Sequence, residues 1–558
     1  MELSAPWRKF YGKVKPSLHY PPATLWEAFG RIACRYPHYT ALIYMNRSIT
    51  YKEMTKRIID VQAGLEKIGV RKGDKVLLCL PDIPQAVYLL YALSRMGAVG
   101  CFVHPLSAHR EVAQYADILE SRFIVMLASQ YKLPEKSEFL LKNKTVVLTT
   151  PADELDFINS KVYRLCKRQH THRRKDKVYN WHSLMKNKEK ITPEPVSVSC
   201  KAPAVVLFSG GTTGTPKAVL ISSYSLNATA MQTAQMGQCE IRGRKMLTVL
   251  PVFHGFGLGV CIHSVLIHGG CSVLVPRFSA SICGKIIKKY RPDFIAGVPT
   301  MFEALLKSKG MRNADLSCIR GVFSGGDTLS EKLREKFDGY LKEHGATVKI
   351  REGYGLTECI GAGCLSPENL HRRDSVGIPF PDMYFKICKV NTTEEAPAGT
   401  VGEICITGPT LMLGYLNNKE ETCKALRFHS DGRKWLHTGD AGMMDKDGFV
   451  YFRERIKRII VTKGFNVYPS QVEAVLCAHP KVLACCVTGV CDPYSVERVK
   501  AFVVPADKNK SEEKLRLELI SYCRKNLSHY AVPSEIEFVL SLPKTALNKV
   551  DFRKLQKY

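Results

Sequence analysis

At 558 residues the chain has room for about three or four units of ~150 residues, each with its own core. Hydrophobic residues make up 45% and charged residues 24%, with no Gly/Ser-rich or Pro-rich tract, which excludes a disordered or low-complexity protein. The formal charge of +29 favours polyanionic partners, and twenty scattered cysteines without a C-x-x-C pair exclude a small disulfide scaffold and a zinc site of paired spacing.

The opening MELSAPWRKFYGKVKPSLHY has no apolar core of signal-peptide length, and scattered thiols are reduced by default, so a cytoplasmic compartment is expected. The longest apolar stretches read as buried core. Val87 to Val103 is broken by Arg95, and Leu247 to Pro276 carries His254, His263 and His268.

In chain order, Ser48-Ile49-Thr50-Tyr51-Lys52-Glu53-Met54 predicts an N-cap and an amphipathic helix whose apolar positions recur through Leu65 and Ile68. Asp74 to Leu80 predicts a buried strand ended by Pro81, and Ala86 to Met96 a second helix. The polar stretch Lys132 to Pro195 is expected to cover a sheet edge. Its densest charge, Arg164, Lys167, Arg168, Arg173, Arg174, Lys175 and Lys177 with His170 and His172, reads as a solvated loop beside polyanionic substrates. Peripheral contact with an anionic membrane stays open, and nucleic acid is disfavoured because no aromatic residues interleave the charges. Ala204 to Phe208, Lys245 to Leu250 and Phe294 to Val298 predict further buried strands. Alternation of this kind predicts an α/β fold with layered subdomains around parallel sheets. A boundary is expected near Arg455 to Ile459, followed by a helix over Pro469 to Leu476 and a strand over Val499 to Val504. The expected division is therefore a large N-terminal domain, 1–455, and a small mobile C-terminal α/β domain, 456–558.

The first chemical signal is Ser209-Gly210-Gly211-Thr212-Thr213-Gly214-Thr215-Pro216-Lys217, directly after a strand. Three glycines let backbone amides turn inward, four hydroxyls can donate, and a lysine adds charge, which makes a phosphate cradle. Pro216 before Lys217 separates it from the P-loop pattern. By itself the loop indicates a phosphate site and no more.

The loop resembles the nucleotide signature of the adenylate-forming superfamily of acyl-CoA synthetases, nonribosomal adenylation domains and luciferases, and further segments follow in that family's order from about Leu25 to the end of the chain. Gly353-Tyr354-Gly355-Leu356-Thr357-Glu358 is similar to GYGxTE. The resemblance implies Tyr354 on adenine, Thr357 on the α-phosphate, Thr212 and Glu358 as Mg²⁺ ligands, and Gly326 beside the nucleotide. Thr438-Gly439-Asp440 resembles TGD, implying Asp440 and, beyond it, Arg455 on the ribose hydroxyls, with Lys457 at the hinge between lobes. Lys463-Gly464-Phe465 resembles the segment beside the pantetheine channel of coenzyme A. Leu542-Pro543-Lys544-Thr545-Ala546-Leu547-Asn548-Lys549 resembles LPKTxxGK, whose final lysine, here Lys549, bridges carboxylate and α-phosphate. Three positions depart from the family pattern: Ala218, Glu454 and Asn548 stand where it has glycine.

The segment Leu250-Pro251-Val252-Phe253-His254 bears on the substrate. Amino-acid-activating relatives place an aspartate after this phenylalanine to pair with the α-ammonium. His254 in its place disfavours an amino acid and resembles the acyl-CoA synthetases, where it sits at the acyl pocket mouth. Walls are expected from Phe253 to Cys261, Val298 to Phe302 and Phe323 to Asp327, apolar and small, favouring a medium- to long-chain fatty acid. The implied reaction joins carboxylate and MgATP to acyl-AMP and pyrophosphate, then passes the acyl group to coenzyme A as the small lobe swings about Lys457. An acyl carrier protein as acceptor, an aryl or bile-type acid, and a nucleotide-binding relative without catalysis are the alternatives.

Overall fold

The computed structural model describes residues 3–131, 143–156, 160, 177–186, 193–209, 216–462, 465–492, 496–506, 512–544 and 550–556. The chain divides into two compact units. The larger comprises Met1–Phe385, Ile406–Leu436 and Lys446–Val450, and the smaller Lys386–Cys405, His437–Asp445 and Tyr451–Tyr558.

Two mixed sheets form the larger unit. One runs Ile378–Pro379, Cys364–Leu365, Ile350–Tyr354, Gly321–Ser324, Phe294–Gly297, Lys245–Thr248, Cys271–Leu274, Thr40–Tyr44, Arg47–Thr50, and all neighbours from Ile350–Tyr354 to Thr40–Tyr44 are parallel. The other runs Gly414–Tyr415, Lys217–Ser222, Pro203–Ser209, Val99–Phe102, Lys75–Cys79, Phe123–Leu127, Thr145–Thr149, Val178–Asn180, parallel from Pro203–Ser209 onward. Both have the near-continuous apolar strands that a parallel sheet covered on two faces requires. Thr145–Thr149 and Val178–Asn180 correct one expectation: the stretch from Lys132 to Pro195 supplies the last two strands, rather than covering the edge. The run Thr145-Val146-Val147-Leu148-Thr149 is short and apolar enough to join the sheet although its surroundings are basic. The basic residues Arg164 to Lys175 lie outside the described residues.

The expected helices form where the caps and periodicity place them. In Tyr51–Lys67 the Thr50 hydroxyl accepts from the Glu53 amide at 3.2 Å and the Glu53 carboxylate from the Thr50 amide at 2.8 Å, a reciprocal cap of about 1 kcal/mol. Its buried stripe is Tyr51, Met54, Ile58, Val61 and Leu65. Every residue of Pro84–Met96 is buried, Arg95 included, whose guanidinium donates to the Pro193 carbonyl at 2.5 Å and lies 5.2 Å from the Trp26 ring. No described helix is long and apolar enough to cross a membrane. His263 is likewise a core residue, its Nδ1 3.0 Å from the Tyr91 hydroxyl and its Nε2 2.8 Å from Asn227 Oδ1. Burial pulls its pKa down to about 3, so the ring is neutral.

Just past Pro81, the fully buried Asp82 accepts from the Val252 amide at 2.7 Å and so pins the segment that carries His254. Burial pushes its carboxyl well above the ordinary value. Because the folded state then holds the proton more tightly than the unfolded one, Asp82 lowers stability as pH rises through the unfolded value. Asp82→Asn keeps an acceptor without the charge. Its stability relative to the parent is expected to rise between pH 4 and pH 7, read by denaturant unfolding at each pH, while Asp82→Ala costs about 1–3 kcal/mol at pH 4 and less at pH 7, since it too lacks the titrating group. A pH-independent difference for Asp82→Asn would count against a buried, titrating carboxyl.

In the smaller unit a sheet runs Phe465–Val467, Ile460–Thr462, Val496–Pro505, Val482–Asp492, with Glu535–Phe538 parallel to Val496–Pro505. Helices Pro469–Ala478 and Glu512–Asn526 bury Val472, Leu476, Leu515 and Leu519 against Ile460, Val487, Ala501 and Val503. This unit has a hydrophobic core of its own.

Candidate active site

The segment expected to cradle phosphates connects two strands that pair antiparallel. Pro203–Ser209 pairs with Lys217–Ser222, and Ser209 is in register with Lys217, so both ends of the glycine-rich segment are fixed in a sheet. Gly210, Gly211, Thr212, Thr213, Gly214 and Thr215 themselves lie outside the described residues. Ala218 occupies a buried strand position. Lys217 is not a solitary charge. Its ammonium is ion-paired with Glu421, near the start of the helix Lys419–Ala425, and lies 4.8 Å from the Tyr415 ring centroid. Hydrogen bonds from Lys217 and Lys424 hold the Glu421 carboxyl below its usual range.

Tyr415 carries the cradle's sheet to the second motif. Its hydroxyl donates to Glu358 Oε1 at 2.9 Å, and the Met412 amide donates to the Glu358 carbonyl at 2.8 Å. Lys217, Tyr415 and Glu358 thus form one contiguous series, with the Glu358 side chain buried. Tyr354 ends the strand Ile350–Tyr354 with its ring edge-on to Phe385 at 6.4 Å, and Thr357, Glu358 and Cys359 form one 3₁₀ turn. A Cβ on Gly355 would lie 2.5 Å from the Ala362 amide nitrogen, so only glycine admits this fold-back.

Glu352, two residues before Tyr354, accepts from the Leu329 amide at 3.0 Å and from Arg334 at 2.7 Å, fixing the chain just past Gly325 and Gly326. Its pKa is pushed up to about 7 by burial, against the opposing pull of the Leu329 amide and Arg334. Gly326 has φ +79°, a left-handed conformation that lets the chain turn directly after the strand Gly321–Ser324.

Beside this lies an apolar pocket lined among others by Phe256, Val260, Val265, Phe323, Gly325 and Tyr354. Among the described residues no charged side chain lines it. Phe256–His263 is a π-helix, a form that recurs at functional sites; Gly255 and Gly361 let its start approach the Glu358 turn, and Gly257 lets it pack on Pro251. A Cβ on Gly257 would meet the Pro251 carbonyl oxygen at 2.2 Å. One on Gly255 would meet Ile360 C at 2.8 Å, and one on Gly361 the Phe256 amide at 2.5 Å. His254 Nδ1 accepts from the Phe256 amide at 3.2 Å, which leaves the proton of the neutral ring on Nε2. Of the expected walls, those around Phe256 to Val260 and Phe323 to Gly325 line the pocket, but Val298 to Phe302 do not. Met301 and Phe302 are buried in the core beneath, because Pro299–Leu306 is a helix packed against Ile295 and Phe337.

The smaller unit holds Asp440, 1% exposed, with Arg455 NH1 2.8 Å from Asp440 Oδ1. Glu403 orders the motif around it, accepting from the Gly439 amide at 2.9 Å and lying 2.8 Å from His437 Nδ1. Ile456–Arg458 forms a 3₁₀ turn containing Lys457. Glu454, where the superfamily pattern has glycine, is buried and binds the Ser470 amide at 3.1 Å, tying the approach to Lys457 to the helix Pro469–Ala478. Lys463, Gly464 and Lys549 lie outside the described residues.

Residues 29–416 match the profile described as AMP-binding enzyme, and residues 471–549 the AMP-binding enzyme C-terminal domain. The chain belongs to the AMP-binding enzyme family. It is 32% identical to a long-chain-fatty-acid--CoA ligase of Bacillus subtilis, over all of this chain and 98% of that one. It is 30% identical to a probable 4-coumarate--CoA ligase of Dictyostelium discoideum, over 90% of each. Among solved structures, Bacillus subtilis o-succinylbenzoate CoA synthetase in complex with its acyl-adenylate intermediate superposes with a TM-score of 0.79 at 25% identity, over 96% of this chain and 98% of that one. The family's α/β architecture is the one expected from the alternating helix and strand pattern.

Within this AMP-binding enzyme, Asp82, Glu352, Glu403, Tyr415 and Glu421 support the motifs without belonging to any motif quoted above. For Tyr415 the only sequence signal is Gly414-Tyr415 a few residues before a capped helix. Tyr415→Phe removes one hydrogen bond to the Glu358 carboxylate and leaves the ring beneath Lys217. It is expected to lower kcat/KM for ATP by about tenfold, from roughly 1.5 kcal/mol, with an unchanged unfolding midpoint. An unaltered kcat/KM would remove Tyr415 from the site.

Proposed function

We propose that this chain activates a medium- to long-chain fatty acid with ATP, forming acyl-AMP and pyrophosphate, and then transfers the acyl group to coenzyme A. The observation that carries this reading is the uncharged pocket, which ends beside Gly325 and Tyr354. An amino acid or dicarboxylic acid would bring a charge into it with no counter-ion, at a cost of several kcal/mol. Thr357 and Tyr354 are placed on the nucleotide, Gly326 beside it, and His254 at the pocket mouth. The buried carboxylate of Glu358 is the hard oxygen donor that Mg²⁺ takes, so the residue fits that ion, with Thr212 as its partner. Bound there, Mg²⁺ would screen phosphate charge. The cradle Ser209 to Lys217 holds phosphates, Asp440 and Arg455 take the ribose, and Lys463 and Gly464 face the thiol after the 456–558 lobe turns about Lys457.

A second reading has one observation in its favour. Ser324 lines the pocket, and its buried hydroxyl has no hydrogen-bond partner among the described residues, so a phenolic acid could supply one. A pyrophosphate-exchange screen over fatty, aryl and bile-type acids, followed by coenzyme A, separates the cases. Exchange and thioester with fatty acids are expected. Preference for hydroxylated aryl acids would move the assignment to the Ser324 reading, acyl-AMP without thioester would favour a carrier-protein acceptor, and no exchange with any acid would overturn the proposal.

A further inference from the structure

Among the described residues nineteen cysteines are free thiols, and most are buried. One pair differs. Cys477, exposed near the C-terminal end of the helix Pro469–Ala478, lies with its sulfur 3.4 Å from that of Cys485, half-buried on the strand Val482–Asp492. A disulfide needs about 2.0 Å between sulfurs, so a small side-chain rotation on elements already packed together suffices. We propose that Cys477 and Cys485 form a reversible oxidation site, closing to an intramolecular disulfide when a peroxide reaches the protein. The inference is independent of which acid the enzyme activates.

The surroundings assign each sulfur its part. The hydrogen bond from Cys485 holds Cys477 near a pKa of about 7, so the exposed thiol is the one rich in thiolate at neutral pH, while Cys485 is shifted upward and keeps its proton. The Cys485 sulfur also lies 3.5 Å from the Glu473 carbonyl oxygen, packed beside its partner. The neighbouring Cys486 is buried and pushed up to about 12, so it does not compete. In the first step the Cys477 thiolate attacks one peroxide oxygen. The O–O bond breaks, hydroxide leaves and is protonated to water, and Cys477 becomes a sulfenic acid. The Cys485 sulfur then attacks that sulfur, the S–S bond forms, the S–O bond breaks, and the departing hydroxide takes the Cys485 proton as a second water. Two thiols have lost two electrons and hydrogen peroxide has gained them. A dithiol reverses the bond by exchange. Oxidation to the disulfide also spares Cys477 the irreversible sulfinic state.

The site borders the hinge. Glu473, four residues before Cys477 and therefore on the same helix face, binds Arg458 at 2.7 Å and the Val487 amide at 2.9 Å, and Arg458 immediately follows Lys457. The crosslink would join the two elements, helix and strand, that this glutamate already bridges.

The test uses the full-length protein. Folded enzyme is treated with hydrogen peroxide, free thiols are blocked with iodoacetamide, and the chain is cut with trypsin, which cleaves after Lys481 between the two cysteines. Expected are a chain lighter by two hydrogen atoms, peptides 464–481 and 482–498 joined by a bond that dithiothreitol releases, and alkylation of reduced Cys477 about tenfold faster at pH 7 than of Cys34 or Cys423. Peptide 482–498 also holds Cys486 and Cys491, so variants identify the partner. Cys486→Ser is expected to keep the link, and Cys485→Ser to lose it and leave a sulfenic acid on Cys477 that dimedone traps. A link that survives Cys485→Ser would overturn the proposal, as would Cys477 reaching sulfinic acid in the parent protein while Cys485 remains alkylatable.

Discussion

Lys549→Ala is expected to cut pyrophosphate exchange into ATP by about 10²-fold or more, while thioester formation from supplied acyl-AMP stays within a few fold of the parent. Adenylation brings a carboxylate against a phosphate, two anions whose repulsion peaks as the new bond forms. A cation held against both acts mainly at that transition state. Thioester formation has no such encounter, so the two halves should separate. The chain flanking Lys549 is well placed to aim it. Lys544 and Val550 pair as an antiparallel bridge, and the Asp551 amide donates to the Pro543 carbonyl at 2.8 Å, closing the connection that carries Asn548 and Lys549. Asparagine tolerates positive φ better than most residues, so Asn548→Gly should change exchange by no more than a few fold. Equal loss of both half-reactions in Lys549→Ala would remove the lysine from the role proposed for it.

Glu358→Gln is the second change of large expected effect. The amide keeps the side chain's shape and can still accept from Tyr415, so the fold around the 3₁₀ turn should persist and the unfolding midpoint should move little. What is lost is the buried carboxylate proposed to hold Mg²⁺. Pyrophosphate exchange should fall by about 10²-fold at fixed Mg²⁺, with partial recovery as Mg²⁺ is raised. Exchange within about threefold of the parent would mean that the carboxylate serves the fold only.

The motifs were legible because their chemistry lies in adjacent residues. Glycines and hydroxyls in Ser209 to Lys217, or the ring, hydroxyl and carboxylate of Tyr354, Thr357 and Glu358, are recognisable in a short string whatever surrounds them. The helix over Tyr51–Lys67 was legible for a similar reason, since its cap and its apolar stripe repeat within a few residues. Glu454 illustrates what was not legible. In sequence it is a departure from a glycine; in the fold it is a buried carboxylate bonded to the Ser470 amide and paired with Arg458. Asp82 and Val252 are 170 residues apart, and Tyr415 and Glu358 57 apart, so nothing in either neighbourhood announces the pair.

The sequence by itself determined the α/β alternation and the family to which the chain belongs, because periodicity and contiguous motifs are properties of near neighbours in the chain. Only the tertiary structure decided that Lys217 is paired with Glu421, that Met301 and Phe302 belong to the core and not to the pocket wall, that Gly255 and Gly361 let a π-helix reach the Glu358 turn, and that Cys477 meets Cys485. Those facts depend on which surfaces pack together. Packing is settled by the burial of the whole chain, and no local window contains it.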